Sequence, residues 1–320
     1  MIEARGLVRR FGELEAVAGL SFQVAAGEIF GFIGPNGAGK TTTIRILATL
    51  DLPSAGVARI AGHDVAAEPD RVREALGYMP DAWGVYPGQT VRECLDFFAA
   101  AHRIPRRERG RAVGEVMELT DLTGLAARRV EALSKGMQQR LCLATTLVHD
   151  PRLLILDEPA NGLDPGARIE FREILRELRA LGKTILISSH ILTELSDLVT
   201  AVGIVERGRM VMSGPVGEIQ ARLAGAGSDA PAGVELRRVL LRTRADRRDA
   251  ARDLLLARPE VREASPVGER ELRLLVAGPE EVAAELVRAL VAGEVPVLGL
   301  AEEALDLERV FLAVTRGQVQ

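Results

Sequence analysis

The chain has little that would cross-link it, carry it through a membrane or bind it to a polyanion. Two cysteines occur in 320 residues, Cys94 and Cys142, each inside an amphipathic helical pattern. That is too sparse for a disulfide framework or a metal cluster, and both read as buried free thiols. No apolar run approaches the roughly 18–20 residues needed to cross a bilayer. The opening Met1-Ile-Glu-Ala-Arg-Gly6 enters a strand-like pattern at once and has no secretory apolar core. A soluble chain that stays inside the cell is expected. The formal net charge of −4 excludes a global basic field that would draw the chain onto nucleic acid or anionic lipid. Lysine is scarce as well: of 41 Lys and Arg residues only Lys40, Lys135 and Lys183 are lysine. In such a background a lysine inside a motif is hard to read as filler. No internal repeat is present.

What is present is concentrated in three short segments. Gly34-Pro35-Asn36-Gly37-Ala38-Gly39-Lys40-Thr41-Thr42 fits Gly-x4-Gly-Lys-[Ser/Thr]. A chain of this composition would match that pattern by accident about two times in a thousand, so the match is informative by itself. The apolar run Ile29–Ile33 precedes it as a buried strand, and Thr42–Leu47 continues it as a helix. A strand-to-helix turn aims backbone N–H groups and the positive end of a helix dipole at one point. Glycines let that backbone close around phosphate oxygens. Lys40 then reaches the β- and γ-phosphates, and the Thr41 hydroxyl is placed for Mg²⁺.

The second segment, Leu153-Leu-Ile-Leu-Asp157-Glu158-Pro159, is an apolar strand ending in two acids. Neighbours on a strand point to opposite faces, so the two carboxylates should do different work. One suits Mg²⁺ and the other suits orienting an attacking water. In the third, Leu133-Ser134-Lys135-Gly136-Met137-Gln138-Gln139-Arg140 runs into an apolar helical pattern with Ser134 as N-cap. This is a second helix N-terminus fit for an anion. One ATP does not need two such sites in one subunit, unless a second copy of the chain supplies one of them.

These three motifs, in their order along the chain (34–42, 133–140, 153–159) and spacing over about the first 220 residues, resemble the ATP-binding cassette family. The resemblance implies an α/β fold: a P-loop nucleotide triphosphatase core with a helical subdomain. It implies an ATPase using ATP and Mg²⁺, closing head to tail with a second copy. Ser134 and Gly136 would then touch the γ-phosphate held by the other subunit, with Gln139 beside them. Asp157 would hold Mg²⁺ with Thr41, and Glu158 would be the catalytic base. Phe11 falls where the family stacks an aromatic on adenine, although an apolar hairpin residue would read the same way. Asn161-Gly-Leu-Asp164-Pro165 matches the loop coupling the two ATP sites, and Asp164 with Pro165 also reads as N-cap and N1 of a helix. His190, closing Ile187-Ser-Ser-His190, matches the family's γ-phosphate histidine. His63, His102 and His149 carry no such support.

Two segments depart from the pattern, the loop at Asp81 and the signature, where Met137 stands for the commoner Gln and Lys135 for the commoner Gly. Asp81 stands where the family usually has a Gln that contacts Mg²⁺ and water; an acid can still meet Mg²⁺ through water but cannot donate as an amide does. Lys135 replaces the commoner Gly, either adding charge near the partner's ATP or facing solvent.

Residues 1–222 carry every motif and are expected to form the ATPase domain, with the helical subdomain at about 82–150. Small residues at 223–233 read as a linker. Residues 234–320 read as an α+β domain of ferredoxin-like type, with strands at Val234–Thr243, Glu271–Val276 and Val295–Leu300. Helices are expected at Asp246–Ala257, Pro279–Val291 and Leu305–Val314. Beyond Val234, 14 arginines face 16 acidic residues without a basic stripe or aromatic platform, so no nucleic-acid partner is expected.

The family resemblance implies a separate transmembrane permease as partner, docking beside the Asp81 loop, and a cytoplasmic chain held at the inner face of the membrane through it. Trp83, Val85 and Tyr86 at that loop read as an interface anchor or as local packing. The tail Leu305–Thr315 resembles exporter ATPases of the drug and antibiotic-resistance type, whose substrates would be drugs, antibiotics or other small hydrophobic compounds. Importer ATPases and non-transport cassette ATPases remain the alternatives. A non-transport chromosome-type ATPase would carry a long coiled coil between the first and third motifs, which the prolines there oppose.

Overall fold

Runs of apolar residues without alternation become strands buried on both faces, and the first of these organises the chain. The computed structural model describes residues 1–84, 87–191, 195, 197–219, 236–279 and 281–302. The chain divides into two compact units, Met1–Pro215 and Val216–Gln320.

In the first unit the strand β3 (Ile29–Ile33) is buried at every position. It pairs in parallel with β8 (Thr184–Ser189) on one side and β9 (Ala201–Glu206) on the other. β7 (Leu153–Leu156) and β6 (Leu76–Met79) extend the sheet in parallel beyond β8. β10 (Arg209–Pro215) closes the opposite edge antiparallel to β9. The order is β10-β9-β3-β8-β7-β6. A second, antiparallel sheet contains β2 (Leu14–Val24), β1 (Ile2–Phe11), β4 (Ala55–Ile60) and β5 (His63–Asp64), in that order. The two sheets share one core. Phe22 of β2 stacks on Phe30 and Phe32 of β3 at 5.6 and 5.4 Å between ring centres, joined by Leu7, Leu20, Ile44 and Leu47. Burying aromatic and aliphatic groups on this scale is worth roughly 1.5–3 kcal/mol per side chain.

Helix α1 (Lys40–Leu47) leaves the carboxyl end of β3, and α2 (Pro69–Ala75) leads into β6. A helical part follows: α3 (Val91–Ala101), α4 (Arg106–Leu119) and α5 (Lys135–Leu147). α3 starts with a capping box, Glu93 N–H donating to Thr90 Oγ1 and Thr90 N–H to Glu93 Oε2. Cys94 and Cys142 face this interior as free thiols, and burial pushes the Cys94 pKa up to about 11. α6 (Pro165–Ala180) then leads to β8.

The second unit has β11 (Leu236–Thr243), α7 (Arg248–Leu256), β12 (Val261–Pro266), β13 (Glu271–Ala277), α8 (Glu281–Ala292) and β14 (Val297–Glu302). Its antiparallel sheet runs β12-β13-β11-β14, the order of a split β-α-β unit. Leu241, Leu272, Leu274, Leu255, Leu286 and Leu290 form its core. β12 has no counterpart among the strands expected from sequence. It is an edge strand with one fully buried position, Val261, and its charged residues and Pro266 suit an edge. The linker at 223–233, the helix at Leu305–Val314, and Val85 and Tyr86 lie outside the described residues. Among the described residues no helix is long and apolar enough to cross a membrane.

Candidate nucleotide site

Parallel register decides which loops meet. Ile33 pairs with Ser189, so β3 and β8 end at one level, while Leu156 pairs with Ile187, so β7 stops two residues short and the residues after it run on alongside the end of β8. The residues that follow them, Gly34, Asp157 with Glu158, and His190, open into one crevice at the carboxyl ends of the strands, where open α/β sheets bind ligands.

The loop between β3 and α1 is shaped by its last glycine. Gly39 is the N-cap of α1 with φ 95°, a backbone that L side chains rarely adopt, and a Cβ there would collide with the Ala16 carbonyl. No side chain caps the helix, which leaves its first-turn N–H groups to a ligand. Lys40 is 5% exposed. Its Nζ donates to the Gly34 carbonyl at 2.7 Å and the Pro35 carbonyl at 3.3 Å, and pairs with Glu158 Oε1 at 3.3 Å.

The two acids lie beyond the end of β7, so strand alternation is not what separates them. Glu158 has φ 49°, a left-handed backbone that turns it away from Asp157. Its N–H donates to Ser188 Oγ at 2.9 Å, and its Oε2 lies 2.7 Å from His190 Nδ1. Asp157 turns inward and is 1% exposed. Its Oδ1 accepts the Ser188 hydroxyl at 2.7 Å, while its Oδ2 is buried without a partner. Burial holds the Asp157 pKa above the ordinary carboxylate range, and hydrogen bonds from the Ser188 and Thr41 hydroxyls oppose that shift. A buried carboxylate oxygen left open, next to a Thr hydroxyl, is a donor set that suits a hard divalent cation.

A pocket of about 460 Å³ joins these groups. Pro35 to Thr42 form its floor, with Phe11, Asp81, Glu158, Asn161 and His190 around it. Phe11 is 47% exposed, and the Arg9 guanidinium stands 4.4 Å over its ring. Asp51 anchors that guanidinium through bonds of 3.1 and 2.8 Å. Asp81 Oδ1 accepts from the Asn161 side-chain amide at 3.4 Å. Asn161 was no site residue in the sequence reading. Its loop was recognised, but nothing local signals a partner 80 positions earlier in the chain.

Ser134, Gly136, Gln139 and Asp164 do not line this pocket. Ser134 is the N-cap of α5, its Oγ accepting the Met137 N–H at 3.3 Å. Gly136 lies against α6, where an added Cβ would come within 3.0 Å of Ala167 Cβ. Gln139 Nε2 donates to the Pro159 carbonyl at 2.6 Å. Asp164 caps α6 by accepting the Ala167 N–H at 2.9 Å. Lys135 is exposed, and its ammonium lies beside Gly162 of the same chain.

A second pocket, of about 590 Å³, lies among β6, α3 and α5. Tyr78, Pro80, Trp83, Phe98, His102 and His149 line it. The rings of His102 and His149 stack there at 3.7 Å, and burial first, then the neighbouring His102, lowers the His149 pKa to about 4.

A phosphate loop, a buried Asp, a left-handed Glu and a histidine at three adjacent strand ends define a nucleotide triphosphatase of the cassette type. The family described as ABC transporter matches residues 17–161. Nod factor export ATP-binding protein I of Ralstonia nicotianae is 36% identical over 261 residues, 80% of each chain. Linearmycin resistance ATP-binding protein LnrL of Bacillus subtilis is 30% identical over 98% of both chains. A solved structure of an ATP binding subunit of an ABC transporter superposes with a TM-score of 0.64 at 29% identity, over 71% of this chain and 95% of that one. The chain belongs to the ATP-binding cassette transporter family, and it is an ATPase.

Proposed function

We propose that this chain is the energy-supplying subunit of an exporter, working as a head-to-tail pair of copies on a separate membrane permease. The observation that carries the reading is the separation of two half-sites. Lys40, Glu158 and His190 share one pocket, whereas Ser134 and Gly136 start a helix outside it. A second copy turned head to tail would bring its Ser134 and Gly136 to the open side of that pocket.

Lys40 is engaged by two loop carbonyls and by Glu158. A triphosphate entering the loop replaces those acceptors with stronger ones. Lys40 then turns to the β- and γ-phosphates, and the N–H groups of the loop and of the first turn of α1 enclose them. Released from Lys40, Glu158 accepts a proton from the attacking water, held in place by its bond to His190. Phe11 offers a ring face to adenine. Thr41 and Asp157 would hold Mg²⁺, with Asp81 reaching it through water, and the cation would neutralise charge on the phosphates. Closure of the two copies excludes water, and reopening follows hydrolysis.

The apolar pocket around Tyr78, Pro80 and Trp83 is the surface for the permease, which would hold the chain at the inner face of the membrane. The relatives named for Nod factor export and linearmycin resistance support export of drugs, antibiotics or other small hydrophobic compounds. Co-purification of the full chain from membranes tests the partner: a polytopic permease is expected. A dedicated extracellular binding protein in the same complex would turn the reading to import.

A further inference from the structure

Arg9 and Phe11 stand two positions apart on β1, so their side chains leave the same face of the strand. The Arg9 guanidinium lies 4.4 Å from the centre of the Phe11 ring, over its face. Phe11 lines the nucleotide pocket and Arg9 does not. The guanidinium therefore covers the back of the ring, and the face that is left opens into the pocket.

What holds the guanidinium there comes from another part of the chain. Asp51 meets it as a fork, Nε donating to Oδ2 at 3.1 Å and Nη2 to Oδ1 at 2.8 Å, with both side chains partly buried. Asp51 is itself fixed: its N–H donates to the Arg45 carbonyl at 3.2 Å, and its Oδ1 accepts the Leu52 N–H at 2.8 Å. Arg45 belongs to the last turn of α1, whose first turn carries Lys40 and Thr41. The ring is thus tied, through Arg9 and Asp51, to the far end of the helix that starts at the phosphate loop. Arg10 shows the ordinary alternative, a solvent-exposed pair with Glu15 across the β1–β2 hairpin.

We propose that Arg9, held by Asp51, is a positioning residue for the nucleotide base. The face of an aromatic ring is negative, so two stacked faces repel unless one is depleted. A cation behind Phe11 draws its density back and makes the front face a better partner for a stacked base. The clamp also fixes one orientation of the ring, so the base meets a platform that is already ordered. Arg9 acts through Phe11 on the base, and not on the phosphates. The inference rests on the reading of Phe11 as the adenine platform.

The test uses the full chain and compares Arg9→Met, Arg9→Lys, Phe11→Ala and the double variant Arg9→Met/Phe11→Ala. Steady-state ATP hydrolysis is measured on each, with inorganic tripolyphosphate as competitive inhibitor, a probe that has the phosphates and no base. Arg9→Met is expected to raise KM for ATP about five- to tenfold, the scale of a cation–π contact with the ion pair that aims it. Its kcat and the Ki of tripolyphosphate should each hold within about twofold, as for binding shared by ground and transition states. Arg9→Lys, which keeps a cation but loses the fork, should raise KM about threefold. The double variant should match Phe11→Ala within about twofold, because Arg9 has nothing to act through once the ring is gone.

An unchanged KM in Arg9→Met beside a raised one in Phe11→Ala would overturn the role of Arg9 and leave the adenine platform standing. A Ki that rises with KM would make Arg9 a brace of the phosphate loop, and losses that multiply in the double variant would separate it from the ring; either result overturns the proposal. If Arg9→Met does not fold, Arg9→Lys decides: a raised KM with constant Ki supports the role, and an unchanged KM overturns it. An unchanged KM in Phe11→Ala would overturn the adenine reading and this inference together.

Discussion

Two helices of the ATPase unit begin with lysine, and the two starts are built in opposite ways. At α1 the N-cap is a glycine without a side-chain cap, and Lys40 is buried among carbonyls and a carboxylate. At α5 the N-cap is Ser134, which satisfies the Met137 N–H itself, and Lys135 lies on the surface. The first start leaves its helix N–H groups without a side-chain cap, and the lysine's counter-charge, Glu158, stands inside the same subunit. The second is a helix end already capped by its serine hydroxyl, with its lysine ammonium beside Gly162 of the same chain. A cation at the positive end of a dipole is a local conflict worth about 0.3–1 kcal/mol, and such conflicts are expected where function overrides local stability. The difference is what the proposed function requires: a start at α1 open to a ligand within its own subunit, and a start at α5 that would act on the nucleotide of a second copy.

That contrast can be broken most sharply at Glu158, the proposed base. Glu158→Gln is expected to slow hydrolysis by about 100- to 10,000-fold while ATP still binds, so that ATP shifts the protein to a dimer in size-exclusion chromatography. Normal turnover in that variant would remove Glu158 from its role. Lys40→Ala should weaken nucleotide binding by about 100-fold, the loss of a charge-assisted contact of ~3 kcal/mol; titration with a fluorescent ATP analogue reads this directly. Ser134→Arg provides the other half of the contrast. Its nucleotide affinity should stay within about twofold and its hydrolysis fall about 30-fold or more, the scale of an interface hot spot of ~2 kcal/mol. Loss of both properties together would mean that α5 serves its own subunit.

The smallest effect concerns Asp157 and stability. Burial raises its pKa in the folded state, so folding takes up a proton only at pH values between the ordinary carboxylate pKa and the raised one. The stability linked to that proton is complete below the ordinary carboxylate pKa and is lost as pH rises through the raised folded value. Without nucleotide, Asp157→Asn should therefore melt higher than the unaltered chain at pH 7, and the gap should close at pH values below the ordinary carboxylate range. Scanning calorimetry at the two pH values checks the sign. An equal gap at both would show that the Asp157 charge costs the fold nothing.

Much of the site was legible in residues that have few substitutes. Gly39 needs a left-handed backbone, Lys40 needs a long cation at a fixed offset, and Asp157-Glu158 follow an apolar strand that any reader of periodicity would find. Cap chemistry was legible too: Ser134 and Asp164 cap α5 and α6, as their sequence neighbours demanded. Strand alternation, by contrast, was the wrong reason for the divergence of the two acids, because β7 stops at Leu156 and Glu158 turns through a left-handed φ. The bond from Asn161 to Asp81 escaped because the two residues are remote in the chain, which no local pattern encodes. β12 escaped because an edge strand with one buried residue has no alternation to detect.

By itself the sequence determined the chemistry: a phosphate loop, two carboxylates, a histidine and a serine-capped helix, each dictated by the stereochemistry of a few adjacent residues. Only the tertiary structure decided which of them share a pocket. The parallel register of β3, β7 and β8 brings Lys40, Glu158 and His190 together, and it leaves Ser134 out of their pocket. Register is set by packing between strands that are far apart in the chain, so a motif specifies what a residue can do, and the sheet specifies what it can do it to.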